Sequence, residues 1–387
     1  MGIAFVGFTT QFGGGFASGA QIYQYFINYG VFGLLTPIIA QALMSLFYWY
    51  GMKYAFEHKK YDYRSFSDSF YGKFKSVFSN LYEVEYLVMV CMAPAVAFAT
   101  GGATLNTLTG IPYILCTLLI GAFILVIAIA GTDLVRKCSS ILSILIIAGM
   151  MVVLIPNIVA NWDNIVASFT MMQSGTLPAG ATSTGSLGSA VLRSCVYGIF
   201  QITAIGLMYQ HTRGVSEEKE IGKAMIYMFI IDTVIMELAV VGLMAVAYNP
   251  DLATASVPML LLVQTGVGAR ILTPIISILI ILGAVSTGVN MIAGIVERCV
   301  RQVERKQTNL NEKKRKGYTV LFSVIFSALT FAIAQFGLIP LVGTGYAYIG
   351  YATLFVIIAP FIIHFVAHLK TSKPAALPDK SAAYANE

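Results

Sequence analysis

The chain has 387 residues, of which 57% are hydrophobic and only 11% are charged. Soluble globular domains carry about 25% charged residues, so this composition excludes an ordinary soluble protein. The formal net charge is +6, but the basic residues fall in a few short loops, which argues against a nucleic-acid partner. The five cysteines are scattered without paired spacing, so neither a disulfide framework nor a cysteine metal site is expected.

Apolar runs long enough to span a bilayer, about 20 residues each, recur along nearly the whole chain. They predict an all-α, polytopic membrane protein with about ten transmembrane helices. The predicted spans are 2–28, 31–54, 82–108, 111–130, 138–160, 187–210, 224–248, 272–300, 318–336 and 343–369. The apolar run 257–263, between the seventh and eighth spans, is too short to cross.

The distribution of Lys and Arg predicts the orientation of these spans. With the N-terminus inside, 22 of the 24 basic residues fall on the inner side, and only Arg193 and Arg270 fall toward the outside. Both termini are therefore expected to be cytoplasmic. Ten spans divide into two halves of five with opposite orientation, which is an inverted repeat typical of transporters. The predicted parts are a first repeat (1–160), an extracellular loop (161–186), a second repeat (187–370) and a disordered tail (371–387).

The stretch 12–19 of the first span contains three consecutive glycines. Glycine costs about 1 kcal/mol relative to alanine in a helix, so we expect the first span to break at Gly13–Gly15. A broken helix at membrane depth is tolerated where protein buries it or where it lines a cavity, and there it offers peptide groups and helix ends to a ligand. A closely packed face of small residues is the alternative interpretation.

An inverted repeat requires the sixth span, the counterpart of the first, to be interrupted as well. Gly198 and Gly206 weaken that span, and Gln201 and Thr203 place polar groups at the same depth. The two breaks together predict a substrate pocket. Its residues are Gly13, Gly14, Gly15, Phe16, Ser18, Tyr197, Phe200 and Gln201.

Two acids, Asp232 and Glu237, lie within the seventh span. A charged side chain at the centre of a membrane helix costs at least about 2.5 kcal/mol, so such residues usually mark a proton or ion path. Glu237 is the deeper of the two and the sharper candidate for proton coupling, with a structural hydrogen bond as the alternative. Glu83 and Glu85 open the third span at the inner surface, where pairing with basic loop residues is expected.

The segment Gly13–Gly19 resembles the G-x-G-F-A-S-G motif of the YkvI-type bacterial membrane proteins. These proteins resemble the amino acid–polyamine–organocation superfamily, which has the leucine-transporter (LeuT) fold. The family carries Gln-Glu after this motif, whereas Ala20 and Gln21 stand here. The resemblance implies a LeuT-type 5+5 inverted repeat with discontinuous helices 1 and 6, located in the bacterial cytoplasmic membrane. It also implies that spans 1, 2, 6 and 7 rock against a scaffold of spans 3, 4, 8 and 9.

The resemblance further implies a sodium site between spans 1 and 8. That fold uses carbonyl groups of span 1, and one carbonyl with two adjacent hydroxyls of span 8. Hard cations prefer several oxygen ligands, which suits Na⁺. The alternative is that the two hydroxyls bond their own i−4 carbonyls. Carried onto this sequence, the ligands are Thr9, Phe12, Gly283, Ser286 and Thr287.

These features predict a secondary active transporter that moves a small organic solute, such as an amino acid or amine, together with Na⁺. One alternative is a transporter of the same fold that is coupled to protons. The other is a membrane sensor that binds ligands without transport, as the related spore germinant receptor subunits do. The sequence shows no nucleophile–base constellation or phosphate-binding loop, so neither an enzymatic activity nor a cofactor beyond the coupling ion is expected.

Overall fold

The computed structural model describes residues 2–130, 133–306 and 311–371. This part of the chain is almost entirely helical and contains no β-strand, which confirms the predicted all-α class. The helices of the first half are α1 (Gly2–Gln11), α2 (Gly14–Ala17), α3 (Ala20–Tyr25), α4 (Thr36–Glu57), α5 (Tyr63–Phe70), α6 (Lys75–Thr109), α7 (Tyr113–Ala130), α8 (Asp133–Ala160) and α9 (Trp162–Gln173).

The second half begins after a loop that follows α9. Its helices are α10 (Leu187–Ile202), α11 (Glu218–Met244), α12 (Pro258–Thr265), α13 (Ala269–Lys306), α14 (Glu312–Ala334), α15 (Leu338–Pro340), α16 (Tyr346–Thr353) and α17 (Ala359–Thr371). Short 3₁₀ segments cover Ile27–Gly33, Gly72–Phe74, Thr203–Leu207, Tyr209–Gly214 and Pro250–Ala253, and π-helical turns cover Leu341–Gly345 and Leu354–Ile358. Residues 372–387 of the predicted tail lie outside the described residues.

Within the described ranges, six helices are long and apolar enough to cross a membrane, or up to eight if each bent pair is one span. The bent pairs join Ile27–Gly33 to α4 at 92° and Ile144–Ala160 to α9 at 78°. The predicted count of about ten is therefore not confirmed. The first predicted span escapes this count because it is divided into α1, α2 and α3, each too short to cross alone.

Large apolar side chains cover the outside of the bundle. Leu119, Ile271, Phe355 and Ile363 are each at least 64% exposed, and they belong to α7, α13, the last π-helical turn and α17. An apolar surface of this extent is not stable in water and is matched by lipid. Together with the candidate spans, it identifies a multi-pass membrane protein.

Ion pairs tie together one end of the bundle, which we call the basic end. Lys53 near the end of α4 pairs with Glu218 at the start of α11, with 2.7 Å between Nζ and Oε1. Arg298 of α13 pairs with Glu83 of α6. Glu83 thus pairs with a basic residue, as its position in the sequence predicts.

Segments that the sequence presents as loops cover the opposite end. Part of the predicted loop 161–186 is the helix α9, and the chain after it lies over the first span. There the Tyr23 hydroxyl donates to the Ala179 carbonyl at 2.8 Å, and the Thr182 N–H donates to the Asn28 side chain at 2.8 Å. The short helix α12 holds most of its side chains buried.

The sixth span changes its helical winding rather than opening. Its α-helical part, α10, ends at Ile202, and the chain continues as a 3₁₀ segment from Thr203. The predicted interruption is therefore a shift to a tighter helix. A Cβ atom at Gly198 would lie 2.7 Å from the Ala40 carbonyl oxygen, and one at Gly206 would lie 3.0 Å from the Tyr63 Cβ. Both glycines thus serve close packing.

Helix α10 offers a matched pair of glycines to test this packing. A Cβ atom at Gly188 would meet nothing within 4 Å, in contrast to Gly198. We expect Gly198→Ala to destabilise the protein by about 1–3 kcal/mol, as overpacking does. Gly188→Ala should leave stability unchanged or raise it by up to about 1 kcal/mol, because alanine favours helix. Thermal unfolding in detergent measures both, and equal melting temperatures would contradict the close approach of α10 and α4.

Candidate substrate and ion site at the break in the first span

The first span is interrupted twice. Helix α1 ends at Gln11, and Phe12 and Gly13 connect it to the single turn α2. Ser18 and Gly19 then separate α2 from α3. Gly19 has φ +80°, in the left-handed region that favours glycine. The interrupted stretch is buried inside the bundle, so its irregular backbone is shielded from lipid, as membrane proteins require.

The structure therefore differs from the prediction of one break at Gly13–Gly15. Gly14 and Gly15 belong to the helical turn α2, where their small size is needed. A Cβ atom at Gly14 would lie 2.9 Å from the Ala284 Cβ of α13 and 3.0 Å from the Thr100 Cγ2 of α6. The glycine run thus breaks the span at its first member and packs closely through the next two.

The end of α1 adjoins α13, where the resemblance implies a sodium site. A Cβ atom at Gly13 would lie 2.7 Å from the Thr287 Oγ1. The Thr287 hydroxyl donates to the Gly283 carbonyl at 3.0 Å, which is the alternative weighed from the sequence. Ser286 is half-buried beside it. The structure thus brings Gly13, Gly283 and Thr287 together.

The two predicted span-1 ligands lie at the end of the same helix. Thr9 belongs to the last turn of α1, and Phe12 follows the helix directly. The Phe12 N–H still donates to the Phe8 carbonyl at 2.8 Å. The last carbonyl groups of a helix have no intrahelical donors. The last carbonyl groups of α1 therefore lack donors within the helix.

Tyr197 of α10 connects the two sides of the break. Its hydroxyl donates to the Gln21 side chain of α3 at 3.2 Å and accepts from the Gln201 side chain at 3.2 Å. Tyr48 of α4 donates to the Gln201 carbonyl at 3.0 Å. All four residues are buried. We call this group the polar cluster; it joins the first, second and sixth spans.

Beside the polar cluster lie buried atoms that have no hydrogen-bond partner among the described residues. They are the Gln41 Oε1 and both carboxyl oxygens of Asp232. Gln11 lies next to the Tyr197 hydroxyl, and Asp232 interacts electrostatically with Tyr48 and Tyr197. An unsatisfied buried polar group costs about 1–3 kcal/mol, and such groups are rare in native proteins. A bound solute, ion or water would satisfy them.

The two acids of α11 differ in their surroundings. Asp232 is 0% exposed and faces the polar cluster, whereas Glu237 is half-buried with its Oε1 unpartnered. Five residues correspond to about 140° around a helix, so the two side chains point in different directions. The sequence favoured Glu237 from its depth, whereas Asp232 is the acid that interacts with Tyr48 and Tyr197.

Sequence analysis missed the glutamines Gln11, Gln21 and Gln41. The available signal was an amide side chain inside an apolar run, at a depth where polar residues are usually functional. Gln11 precedes the first break, Gln21 follows the second, and Gln41 lies on α4. The Gln41 amide nitrogen faces the Met236 sulfur at 3.6 Å, which places Gln41 against α11.

The remaining predicted pocket residues pack inside the core. The Ser18 hydroxyl donates to the Gly15 carbonyl at 2.9 Å, so it stabilises the second break. Phe16 meets Phe12 edge-on at 4.1 Å between ring centroids. Phe200 stacks on Tyr346 at 4.6 Å. Phe200 also meets Tyr197 of the polar cluster edge-on, with 5.1 Å between ring centroids.

Arg193 closes the site on the side away from the basic end. Its guanidinium group lies 4.2 Å from the centroid of the Tyr25 ring, and it donates to the Gly343 carbonyl. The Tyr25 hydroxyl donates to the Val342 carbonyl at 3.1 Å. Tyr25 also packs on Tyr197, with 5.1 Å between centroids. These contacts tie α3, α10 and the first π-helical turn together above the polar cluster.

A cavity of about 1190 Å³ opens at the basic end. It lies between α5, α6, α7, α13 and α14. Its lining includes Tyr63, Arg64, Tyr86, Asn290 and Arg298. The cavity thus opens among these helices at the basic end, whereas Arg193 and Tyr25 pack over the break on the other side.

An interrupted first span that packs on a long scaffold helix is the arrangement of the LeuT fold, and solved structures confirm this class. One similar structure is a substrate-bound, outward-open Na⁺-coupled sialic acid symporter: TM-score 0.63 and 13% identity over 94% of this chain and 77% of that chain. Another similar structure is MhsT in complex with L-phenylalanine, with a TM-score of 0.61 and 15% identity. The match covers 95% of this chain and 98% of that chain. At such low identity the likeness establishes the fold alone.

The sequence matches no described protein family, and no curated protein matches it. The resemblance to the YkvI-type proteins is therefore not confirmed. Class and fold are established: this is a multi-pass membrane protein of the LeuT type.

Proposed function

We propose that the protein is a secondary active transporter that moves a small organic solute together with Na⁺ by alternating access. The observation that carries this proposal is the interrupted first span, which adjoins Thr287 and lies beside buried polar atoms without partners. The basic end would face the cytoplasm of a bacterial cell. The Na⁺ coupling of one structurally similar symporter supports the choice of ion.

In this proposal Na⁺ is held at the end of α1. The ligands would be the carbonyl groups of Thr9, Phe12 and Gly283 and the hydroxyls of Ser286 and Thr287. The Thr287 hydroxyl would exchange its bond to the Gly283 carbonyl for the ion. Because these groups come from both the first span and α13, the ion would tie the moving core to the scaffold.

The solute would bind between the break and the polar cluster. The backbone at Gly13–Gly15 and the rings of Phe16, Tyr197 and Phe200 would enclose it. Gln11, Gln201 and Asp232 would supply polar partners. A carboxylate and amide oxygens accept from an amino group, which supports an amino acid or amine as solute.

Asp232 also favours a second candidate, which is proton coupling. An ionised carboxylate without partners is costly to bury, so either a proton or the amino group of the solute would stabilise this side chain. Glu237 remains the other candidate proton carrier from the sequence. Both versions share the same fold and the same site.

Uptake into proteoliposomes tests these candidates. A mixture of ¹⁴C-labelled amino acids is offered with an inward Na⁺ gradient, with an inward proton gradient, or with neither. We expect accumulation under the Na⁺ gradient only. Accumulation under the proton gradient alone would support the second candidate. Binding without accumulation under any gradient would identify a sensor and contradict transport.

A further inference from the structure

Glu85 of α6 is a buried acid that the site described above does not use. Its side chain is 5% exposed, and its Oε1 accepts a hydrogen bond from the Thr353 hydroxyl of α16. The Thr353 Oγ1 lies 2.6 Å from the Thr203 Oγ1, at the point where α10 changes to a 3₁₀ helix. The expectation that Glu85 pairs with basic loop residues, as Glu83 does, is therefore wrong.

The direction of the Glu85 side chain explains this difference. Two residues correspond to about 200° around a helix, so Glu83 faces the arginines of the basic end while Glu85 faces inward. The titratable groups that face Glu85 are Tyr71 and Tyr82, with Tyr209 next to Tyr82. Within the described parts of the chain, no lysine, arginine or histidine forms an ion pair with Glu85.

The hydrogen bonds around Glu85 indicate which of its protonation states fits this structure. The Thr353 hydroxyl has one hydrogen but three oxygens near it, those of Glu85, Thr203 and the Ile349 carbonyl at 2.9 Å. If Glu85 is ionised, it takes this hydrogen, and among the described residues only hydroxyl groups face its buried charge. If Glu85 carries a proton, its own O–H donates to Thr353, and the Thr353 hydrogen is free for the Ile349 carbonyl. The Glu85 Oε2 has no partner in either form, so the protonated acid fits better because it avoids a buried charge without a cationic partner.

The cavity at the basic end reaches the residue next to Glu85. Tyr86, the residue after Glu85, lines that cavity, and so does Tyr63, which stacks on it at 4.8 Å between centroids. Tyr63 also touches Gly206, three residues after Thr203. A small movement of the 3₁₀ segment away from Tyr63 would therefore hydrate Glu85.

We propose that Glu85 is a proton-binding site that closes the junction between α6, the 3₁₀ segment Thr203–Leu207 and α16. The protonated acid bonds to Thr353 and keeps the junction shut. When the proton leaves to water in the cavity, the carboxylate needs hydration, and the junction opens toward the basic end. This inference rests on the proposed function, because the Glu85 junction would be a proton-dependent gate in the proposed alternating-access transport.

Hydrogen–deuterium exchange of the full-length protein in detergent tests this proposal without any solute. After correction for intrinsic rates, we expect the backbone of Thr203–Gly214 in the wild type to exchange severalfold faster at alkaline than at acidic pH. Glu85→Gln keeps a donor and carries no charge, so it should stay protected at both pH values. Glu83→Gln removes the neighbouring acid and is the matched control, which should keep the wild-type response.

A pH response that persists in Glu85→Gln, or a wild type without one, would overturn the proposal. If Glu85→Gln does not fold, Thr353→Val supplies a second measurement, because it removes the acceptor of the acid and leaves the acid in place. This variant should exchange fast at both pH values, and wild-type behaviour would contradict the proposal. Hydrogen–deuterium exchange does not depend on transport, so its result can be interpreted even if the uptake assay fails.

Discussion

Replacing Asp232 by asparagine is expected to abolish solute accumulation while the protein stays folded. Both carboxyl oxygens of Asp232 are buried without a partner, so a neutral amide of the same shape removes a destabilising charge. The melting temperature should be unchanged or higher. Removing one partner of a buried charged contact costs about 2–5 kcal/mol, so uptake of the labelled amino acids should fall about thirtyfold or more.

Glu237→Gln is the matched control for Asp232→Asn, because it makes the same change of charge on the same helix. Glu237 is half-buried, and we expect a much smaller loss of uptake. Purified protein in proteoliposomes, at equal reconstitution, gives both rates. Wild-type uptake by Asp232→Asn would show that this acid is a tolerated structural residue and would remove Asp232 from the site.

Replacing Thr287 by valine is expected to weaken the Na⁺ activation of uptake. Valine has the shape of threonine but lacks the hydroxyl that lies beside Gly13. Losing one contact to a charged ligand costs about 1.5–3 kcal/mol, so the Na⁺ concentration for half-maximal uptake should rise about ten- to hundredfold. Thr287→Ser keeps the hydroxyl and should restore most of the response.

Ser277→Ala is the control for Thr287→Val. The Ser277 hydroxyl bonds to the Thr273 carbonyl at 2.6 Å on the same helix, so it has the same local role but lies away from the break. Its removal should leave the Na⁺ response unchanged. If Thr287→Val also keeps the wild-type response, its hydroxyl serves only the Gly283 carbonyl, and the ion site must lie elsewhere.

The glycines show how far the sequence can predict this site. Three successive glycines at one depth weaken a helix regardless of context, so the break at Gly13 was predictable. Gly198 and Gly206 look similar in the sequence, yet each adjoins another element: Ala40 for Gly198, and Tyr63 for Gly206. Such contacts join residues far apart in the chain, and a single sequence does not contain them.

Side-chain direction limited the prediction of the polar residues. Glu83 and Glu85 are the same residue type and lie two positions apart. Only the packed structure shows that Glu83 pairs with arginine and that Glu85 contacts Thr353. Asp232 and Glu237 differ in the same way. The orientation of a long helix about its own axis depends on its partners, so depth in the sequence does not reveal which of the two acids faces Tyr48 and Tyr197.

The two interruptions of the first span separate α1 and α3 from the short turn α2. The Ser18 carbonyl accepts a hydrogen bond from the Met259 N–H at 2.9 Å, so the second interruption is attached to α12. Helix α1 is joined to α2 only through Phe12 and Gly13 and packs instead against α11 and α8. If the proposed transport is correct, each entrance would depend on a different hinge, and a leak through the whole membrane would require two independent failures at once.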